Sequence, residues 1–154
     1  MKEVLAIPAG ETIRNIKTYK IHAFPYPRPT KYEDSKYVTF RAPKGGHMDM
    51  LYSIVTSIVL HPSDRNLESN LLHLEEDSKK RIIDYINARK ATKFGFEKKN
   101  HTYMFYILQE EEALIHLPRP KGKNTAGHTY YTYDEITSGK EEVVVESKLG
   151  TNTN

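Results

Sequence analysis

MDMLYSIVTSIVL, residues 48–60, is the stretch of this sequence that decides the fold. It is rich in β-branched residues, which favour strands, and it is longer than the roughly 5–6 residues of an average strand. A strand of this length has to bend or coil, as the strands of small barrels do. We expect one face of the strand to be buried, and that face carries Met50, Tyr52, Ile54, Thr56, Ile58 and Leu60.

The rest of the chain supplies further strands and a few helical segments. Alternating or short apolar runs predict strands at 19–24, 37–40, 102–108, 113–117 and 143–145. A helix is predicted to begin at Asp77 or Ser78 and to end near Ala91. Thr132 followed by Glu135 has the spacing of a capping box, which predicts a short helical turn. Because several strands follow each other directly, the sequence predicts an α+β fold: a small mixed, partly open β-barrel with flanking helices.

Composition favours a single soluble domain in the cytoplasm. The 154 residues include no cysteine, which excludes disulfides, thiolate zinc sites and cysteine nucleophiles. No segment reaches the roughly 20 apolar residues that span a bilayer, and the N-terminal residues lack a signal-peptide pattern. The net charge of +3 is too small to identify a partner by itself. We expect one domain over residues 1–147, a C-terminal tail at 148–154, and no membrane association.

Three phrases in the sequence resemble the PUA-like superfamily, which includes EVE and ASCH domains and similar modules of bacterial restriction systems. The first is KYVTFRAP at 36–43 followed by MLYSIV at 50–55, and the second is YMFYIL at 103–108 followed by LIHLPRP at 114–120. The third is GHTYYTYDEI at 127–136. The resemblance implies a barrel with a cleft that binds RNA or modified DNA bases. EVE-type modules tend to carry a tryptophan near the cleft, and this chain has none, so a tyrosine would take its place.

Three segments combine cations with aromatic or glycine residues and are candidates for nucleic-acid contact. The first is the proline loop at 25–29, the second is the glycine loop at 41–47, and the third is the basic segment at 119–131 with the tyrosines that end it. Aromatic rings stack on bases, whereas cations and exposed backbone N–H groups hold phosphates. The predicted binding residues are Tyr26, Arg28, Arg41, Lys44, Arg119, Lys121, Lys123, Tyr130 and Tyr131.

The function predicted from these features is a nucleic-acid-binding module for DNA or RNA. It would recognise a modified base flipped into the cleft and work with the motor or nuclease of a restriction or antiphage system. One alternative is an ASCH-like ribonuclease using Lys44, His47 and Tyr130, and another is a protein-interaction domain that does not bind nucleic acid. His47 and Asp49 lack a third ligand nearby in the sequence, so we expect no metal and no cofactor.

Overall fold

The computed structural model describes residues 3–27, 35–92, 95–96, 100–122 and 127–145. The predicted tail at 148–154 lies outside these ranges. The strands of the described residues are β1 (Glu3–Pro8), β2 (Ile21–Pro25), β3 (Tyr37–Arg41), β4 (Met50–Leu60), β5 (Tyr103–Ala113), β6 (Arg119–Pro120), β7 (Thr129–Thr132) and β8 (Glu142–Val143). The helices are α1 (Ile13–Tyr19), α2 (Leu67–Asn70), α3 (Glu76–Lys90) and α4 (Tyr133–Ile136). No helix within the described ranges has the length and apolar character that crossing a membrane requires.

Six strands form one sheet in the order β2-β5-β4-β3-β1-β7, and β6 and β8 form a second, two-stranded sheet. In the larger sheet, β1 runs parallel to β3, whereas the pairs β1–β7, β2–β5 and β3–β4 are antiparallel. The strand order ends at β2 on one side and at β7 on the other, so over the described residues the sheet is not closed. The prediction of an α+β fold with a mixed, open sheet and flanking helices is confirmed.

The chain forms two compact units that alternate along the sequence. The first unit comprises Met1–Ile13, Tyr32–Ile54 and Gln109–Asn154, and the second comprises Arg14–Lys31 and Val55–Leu108. Strands β4 and β5 each contribute one part to the first unit and the other part to the second. The single domain expected over residues 1–147 stays a prediction.

The first unit is built around β1. Its apolar residues pair in parallel with β3 through Val4 and Tyr37, and antiparallel with β7 through Leu5 and Tyr130. Val4 to Ile7 are all buried, so both faces of β1 are covered, which is consistent with the continuous apolar run of this strand. The buried cluster of this unit is Val4, Ala6, Met48, Leu51, Leu114, Tyr131, Ile136 and Val143.

The second unit packs helix α3 on the pair β2–β5. The helix buries Ile82, Tyr85, Ile86 and Arg89, which recur at intervals of three or four residues and so share one face. That face packs on apolar residues of β2, β4 and β5. The members of the buried cluster are Ile21, Ala23, Leu60, Leu71, Ile82, Tyr85, Ile86, Tyr103, Phe105 and Ile107.

The predicted elements differ from the structure mainly at β5 and at the start of α3. β5 continues through the acidic run to Ala113, and the predicted strand at 113–117 is wrong, because Leu117 N donates to Leu114 O at 3.0 Å in a turn. Only backbone groups form a strand's ladder, so exposed glutamates do not interrupt it. Helix α3 begins at Glu76 after Glu75, without a side-chain cap from Asp77 or Ser78.

Strand β4 is buried differently along its length. Leu51, Tyr52 and Ser53 are all buried, so both faces are covered at its start. Farther along, Thr56 is exposed although it lies on the predicted buried face. The expectation of one buried face along the whole strand is therefore wrong. Both faces are buried at the start of β4, and the predicted buried face is interrupted by an exposed residue farther along.

Candidate functional site

The glycine loop connects β3 to β4 by a tight turn at residues 43–46. Gly45 and Gly46 have φ values of +79° and +72°, a region that side chains with a Cβ adopt rarely. Ala42 N donates to His47 O at 2.9 Å and closes the turn. A Cβ on Gly45 would lie 3.0 Å from Cε1 of His47, so the packing of that ring also favours glycine. Lys44 is exposed at the tip of this turn.

The basic segment begins with β6, which is held by backbone hydrogen bonds to the last described part of the chain. Arg119 N donates to Glu141 O and Lys121 N donates to Val143 O, both at 2.9 Å. The side chains of Arg119 and Lys121 are exposed. Arg119 Nη2 lies 3.7 Å from Oε2 of Glu142, and both side chains are about half exposed, so this ion pair contributes little to stability.

A backbone hydrogen bond joins the glycine loop to the basic segment. Met48 N, directly after the loop, donates to Pro118 O at 2.9 Å, directly before Arg119. Both segments belong to the first unit. Two exposed basic segments that are distant in sequence therefore lie side by side, with Lys44 on one and Arg119 and Lys121 on the other.

Arg41 stabilises this region from inside. Its side chain is 4% exposed, and Nη2 donates to the carbonyl oxygen of Gly127. Burial lowers the pKa of the Arg41 guanidinium below its usual value, while nearby Tyr131 opposes that shift. Because Arg41 is buried against residues of its own chain, it positions the 127–131 segment rather than presenting its charge to solvent.

Tyr130 and Tyr131 do not have the open ring faces that the prediction requires. They are 1% and 0% exposed, and the strand that carries them, β7, pairs with β1. Burial raises the pKa of the Tyr131 hydroxyl, which accepts a hydrogen bond from Thr129 Oγ1 at 3.4 Å. A ring must expose a face to stack on a base. The base-stacking role expected of these two tyrosines is therefore corrected to a role in the core.

The remaining predicted residues lie in other places. Tyr26 belongs to the second unit, and its side chain is 39% exposed. Its backbone is fixed by Thr102, because Tyr26 N donates to Thr102 O at 3.1 Å and Thr102 Oγ1 donates to Tyr26 O at 2.7 Å. Arg28 and Lys123 lie outside the described residues. Of the predicted residues, Lys44, Arg119 and Lys121 are exposed in the first unit, and the Met48 N–Pro118 O hydrogen bond joins the residues next to their two segments.

Glu135 supports the basic segment in a way that the sequence did not indicate. Thr132 Oγ1 accepts from Glu135 N at 3.1 Å, which confirms half of the predicted capping box. The Glu135 carboxylate instead accepts from Lys140 Nζ and from Val144 N, both at 2.8 Å. These hydrogen bonds lower the pKa of Glu135. They fix the residue that follows β8, the partner strand of β6.

The region offers no metal centre within the described ranges. Over those residues, no three side chains of His, Cys, Asp or Glu come together as ligands. The ring of His47 packs over Gly45, and neither His47 nor Asp49 belongs to a larger ligand group there. The exposed cations that the structure describes in this region are Lys44, Arg119 and Lys121.

Comparison with known proteins adds little to this geometry. No family model matches the sequence, and no curated protein matches it. Among solved structures, the chain is similar to the crystal structure of ASCH from Zymomonas mobilis, with 10% sequence identity and a TM-score of 0.43. The likeness covers 90% of this chain and 92% of that one.

Proposed function

We propose that this chain is a nucleic-acid-binding module that contacts phosphates through Lys44, Arg119 and Lys121. The observation that supports the proposal is the Met48 N–Pro118 O hydrogen bond of 2.9 Å, which joins the residue after the glycine loop to the residue before Arg119. Lysine and arginine side chains that stand out from a fixed backbone are suited to a phosphate backbone, because binding releases condensed counterions.

The acidic neighbours of the basic segment limit its affinity without preventing binding. Glu142 lies 3.7 Å from Arg119 in an exposed ion pair, and such pairs contribute about 0–1 kcal/mol. A phosphate that forms a bidentate contact with Arg119 makes shorter, charge-assisted hydrogen bonds. It therefore competes well with Glu142 for the guanidinium group. We expect weak, salt-sensitive binding rather than tight binding.

The finer part of the proposal is recognition of a modified base that has left the stack. A flipped base needs an aromatic face, and among the three tyrosines predicted to bind, only Tyr26 has a substantial exposed surface. The restriction or antiphage context, with a motor or nuclease as partner, rests on the sequence resemblance alone. Recognition of a modified base is tested by comparing plain and modified oligonucleotides with the wild type and a Tyr26→Ala variant.

The ribonuclease alternative needs Lys44, His47 and Tyr130 to meet a substrate together. Tyr130 is buried in the first unit, which does not favour a direct role in proton transfer. The interaction-domain alternative predicts no binding to any oligonucleotide. These two alternatives are separated from the proposal by measuring cleavage and binding in the same experiment.

The test is fluorescence anisotropy with short DNA and RNA over a salt series. We expect the double variant Arg119→Ala with Lys121→Ala to bind several-fold to about tenfold more weakly, with the salt slope shallower by about 1–2, because each lost phosphate contact removes about 0.7–0.9 from that slope. The matched control is Arg65→Ala with Lys90→Ala, which removes the same charges from exposed positions of the second unit.

Three results would contradict the proposal. The first is a wild-type protein that binds none of the oligonucleotides below about 100 µM at low salt, since nonspecific binding alone reaches that range. The second is an equal loss of affinity in both double variants, which would show dependence on net charge only. The third is turnover of RNA by the wild type, which would favour the ribonuclease.

A further inference from the structure

The turn between β5 and β6 presents aliphatic side chains to solvent. Leu117 N donates to Leu114 O at 3.0 Å, which makes Ile115 and His116 the central residues of a four-residue turn. Ile115 is 89% exposed, and Leu117, the last residue of the turn, is 47% exposed. One short turn of the first unit therefore keeps two large apolar side chains in contact with water.

The backbone on both sides of this turn is held by the segment that precedes β4. Leu114 is buried, and its N–H donates to Asp49 O at 2.9 Å. Four residues later, Pro118 O accepts from Met48 N at 2.9 Å. Because the chain enters and leaves the turn through hydrogen bonds to two adjacent residues, the ends of the turn cannot separate without breaking one of these bonds.

The middle of the turn is fixed as well. Nε2 of His116 lies 2.9 Å from Ile136 O, and because a carbonyl oxygen only accepts, this nitrogen has to donate. Leu117 has a φ of +48°, in the left-handed region that a side chain with a Cβ adopts rarely. A leucine that is about half exposed gains little from burial to offset this strain, so its presence points to a contact outside the chain.

Exposed cations lie next to this turn. Arg119 comes four residues after Ile115, and Lys121 follows it on the same short segment. Lys44 lies in the glycine loop, and a backbone hydrogen bond joins the end of that loop to Pro118. Proteins that bend DNA combine the same two features, since cations contact the phosphates while an aliphatic side chain enters between two base pairs and partly unstacks them.

We propose that Ile115 inserts between two base pairs of duplex DNA and partly unstacks them. This inference rests on the proposed function, because the phosphate contacts of Lys44, Arg119 and Lys121 hold the turn against the duplex. Leu117 adds aliphatic surface on the same turn. The preferred ligand is a duplex with a weakened base step, because an intact step has to be unstacked at a free-energy cost that a mismatch has already met in part.

The size of the apolar tip favours DNA over a lipid bilayer as its partner. Ile115 and Leu117 together carry fewer side-chain carbon atoms than one myristoyl chain, and such a chain alone gives only marginal, reversible membrane binding. A base step, in contrast, is opened by the insertion of an aliphatic side chain. Membrane binding is therefore a competing outcome of the test.

Fluorescence anisotropy with a fully paired DNA duplex and a duplex that contains a mismatch tests this preference. We expect the wild type to bind the mismatched duplex about tenfold more tightly, and Ile115→Ala to bring that ratio close to one. Arg119→Ala with Lys121→Ala should weaken binding to both duplexes and keep the ratio, since phosphate contacts do not depend on stacking. The matched control is Leu72→Ala, because Leu72 is an aliphatic residue of the second unit with 72% exposure.

A fluorescent adenine analogue beside the mismatch reports insertion directly, because stacking quenches its emission. We expect its emission to rise when the wild type or Leu72→Ala binds, but not when Ile115→Ala binds. Duplex binding by the wild type with no mismatch preference and no rise in emission would overturn the insertion and leave the phosphate contacts standing. Absence of duplex binding would overturn both. Tighter binding to vesicles of phosphatidylcholine and phosphatidylserine than to either duplex, lost in Ile115→Ala, would assign the turn to a membrane and overturn the proposal.

Discussion

Tyr52 is a buried residue whose surroundings change its chemistry. Burial, together with the negative charges of Glu110 and Asp49, raises the pKa of Tyr52 from 10.0 to about 12. The ring also meets Phe40 edge-on, with 5.7 Å between the ring centroids. The folded protein therefore keeps the Tyr52 hydroxyl protonated in a pH range in which the unfolded chain ionises it.

This shift predicts a loss of stability at alkaline pH. Below about pH 10 the hydroxyl is protonated in both states, and its contribution to stability is complete. As the pH rises from 10.0 toward about 12, the unfolded state loses the proton first, so the contribution of the protonated Tyr52 is lost. We expect the advantage of the wild type over Tyr52→Phe to decrease between these pH values in urea unfolding. A pH-independent difference between the two proteins would contradict the shift.

Helix α3 is anchored at its end by Arg89. Nε donates to Gly95 O at 2.8 Å, and Nη1 donates to Ala23 O at 3.2 Å and to the Tyr85 hydroxyl at 3.0 Å. The guanidinium carbon lies 4.5 Å from the centroid of the Phe96 ring. One planar group thus joins the helix to β2 and to the segment after the helix, which a single ammonium group cannot reproduce.

We predict that Arg89→Lys lowers the free energy of unfolding by about 2–4 kcal/mol, because lysine leaves buried carbonyl groups without their donors. Urea denaturation measures the change. The matched control is Arg65→Lys at an exposed position, for which we expect a change within about 0.5 kcal/mol. Equal effects at the two positions would show that Arg89 does not anchor the helix.

The sequence predicts a helix or strand correctly where the hydrophobic periodicity is strong and where residues that begin or end the element are present. The alternation in β2 and β3, the apolar stripe of α3 and the Thr132 cap all have local causes, and all are found. The extension of β5 through Glu110 and Glu111 depends on pairing instead. Ser53 Oγ donates to Glu111 at 2.7 Å and Leu114 N donates to Asp49 O at 2.9 Å, both across the sheet. No local pattern encodes a partner that is about sixty residues away in the chain.

The candidate site is predictable as a set of segments but not as a set of exposed side chains. Residue type indicated that Arg41, Tyr130 and Tyr131 could bind nucleic acid, yet all three are buried. Their burial depends on which neighbours cover β3 and β7, and composition does not carry that information. The contact between the segments of Lys44 and Arg119 depends likewise on one long-range hydrogen bond, from Met48 to Pro118.

At the scale of the whole molecule, the two units share strands β4 and β5. A strand that is broken at the junction loses hydrogen bonds in both units, so we predict that residues 1–147 unfold in one cooperative transition. Calorimetry checks this by comparing the calorimetric and van't Hoff enthalpies. Leu51→Ala in the first unit and Ile82→Ala in the second should each shift that same transition downward. Two separate transitions, each sensitive to one variant, would show two domains.

The position of β1 between β3 and β7 also governs how the chain can fold during translation. β1 ends at Pro8, whereas β7 begins only at Thr129, roughly 120 residues later. At about 5–20 residues per second the ribosome needs roughly 6–24 s to synthesise that interval. During this time β1 can find β3 but not β7, and its apolar edge stays available to other nascent chains. We expect ribosome-bound chains that stop before Thr129 to bind chaperones. Chains that include Thr132, followed by an added linker long enough to bring β7 out of the ribosomal exit tunnel, should release the chaperones.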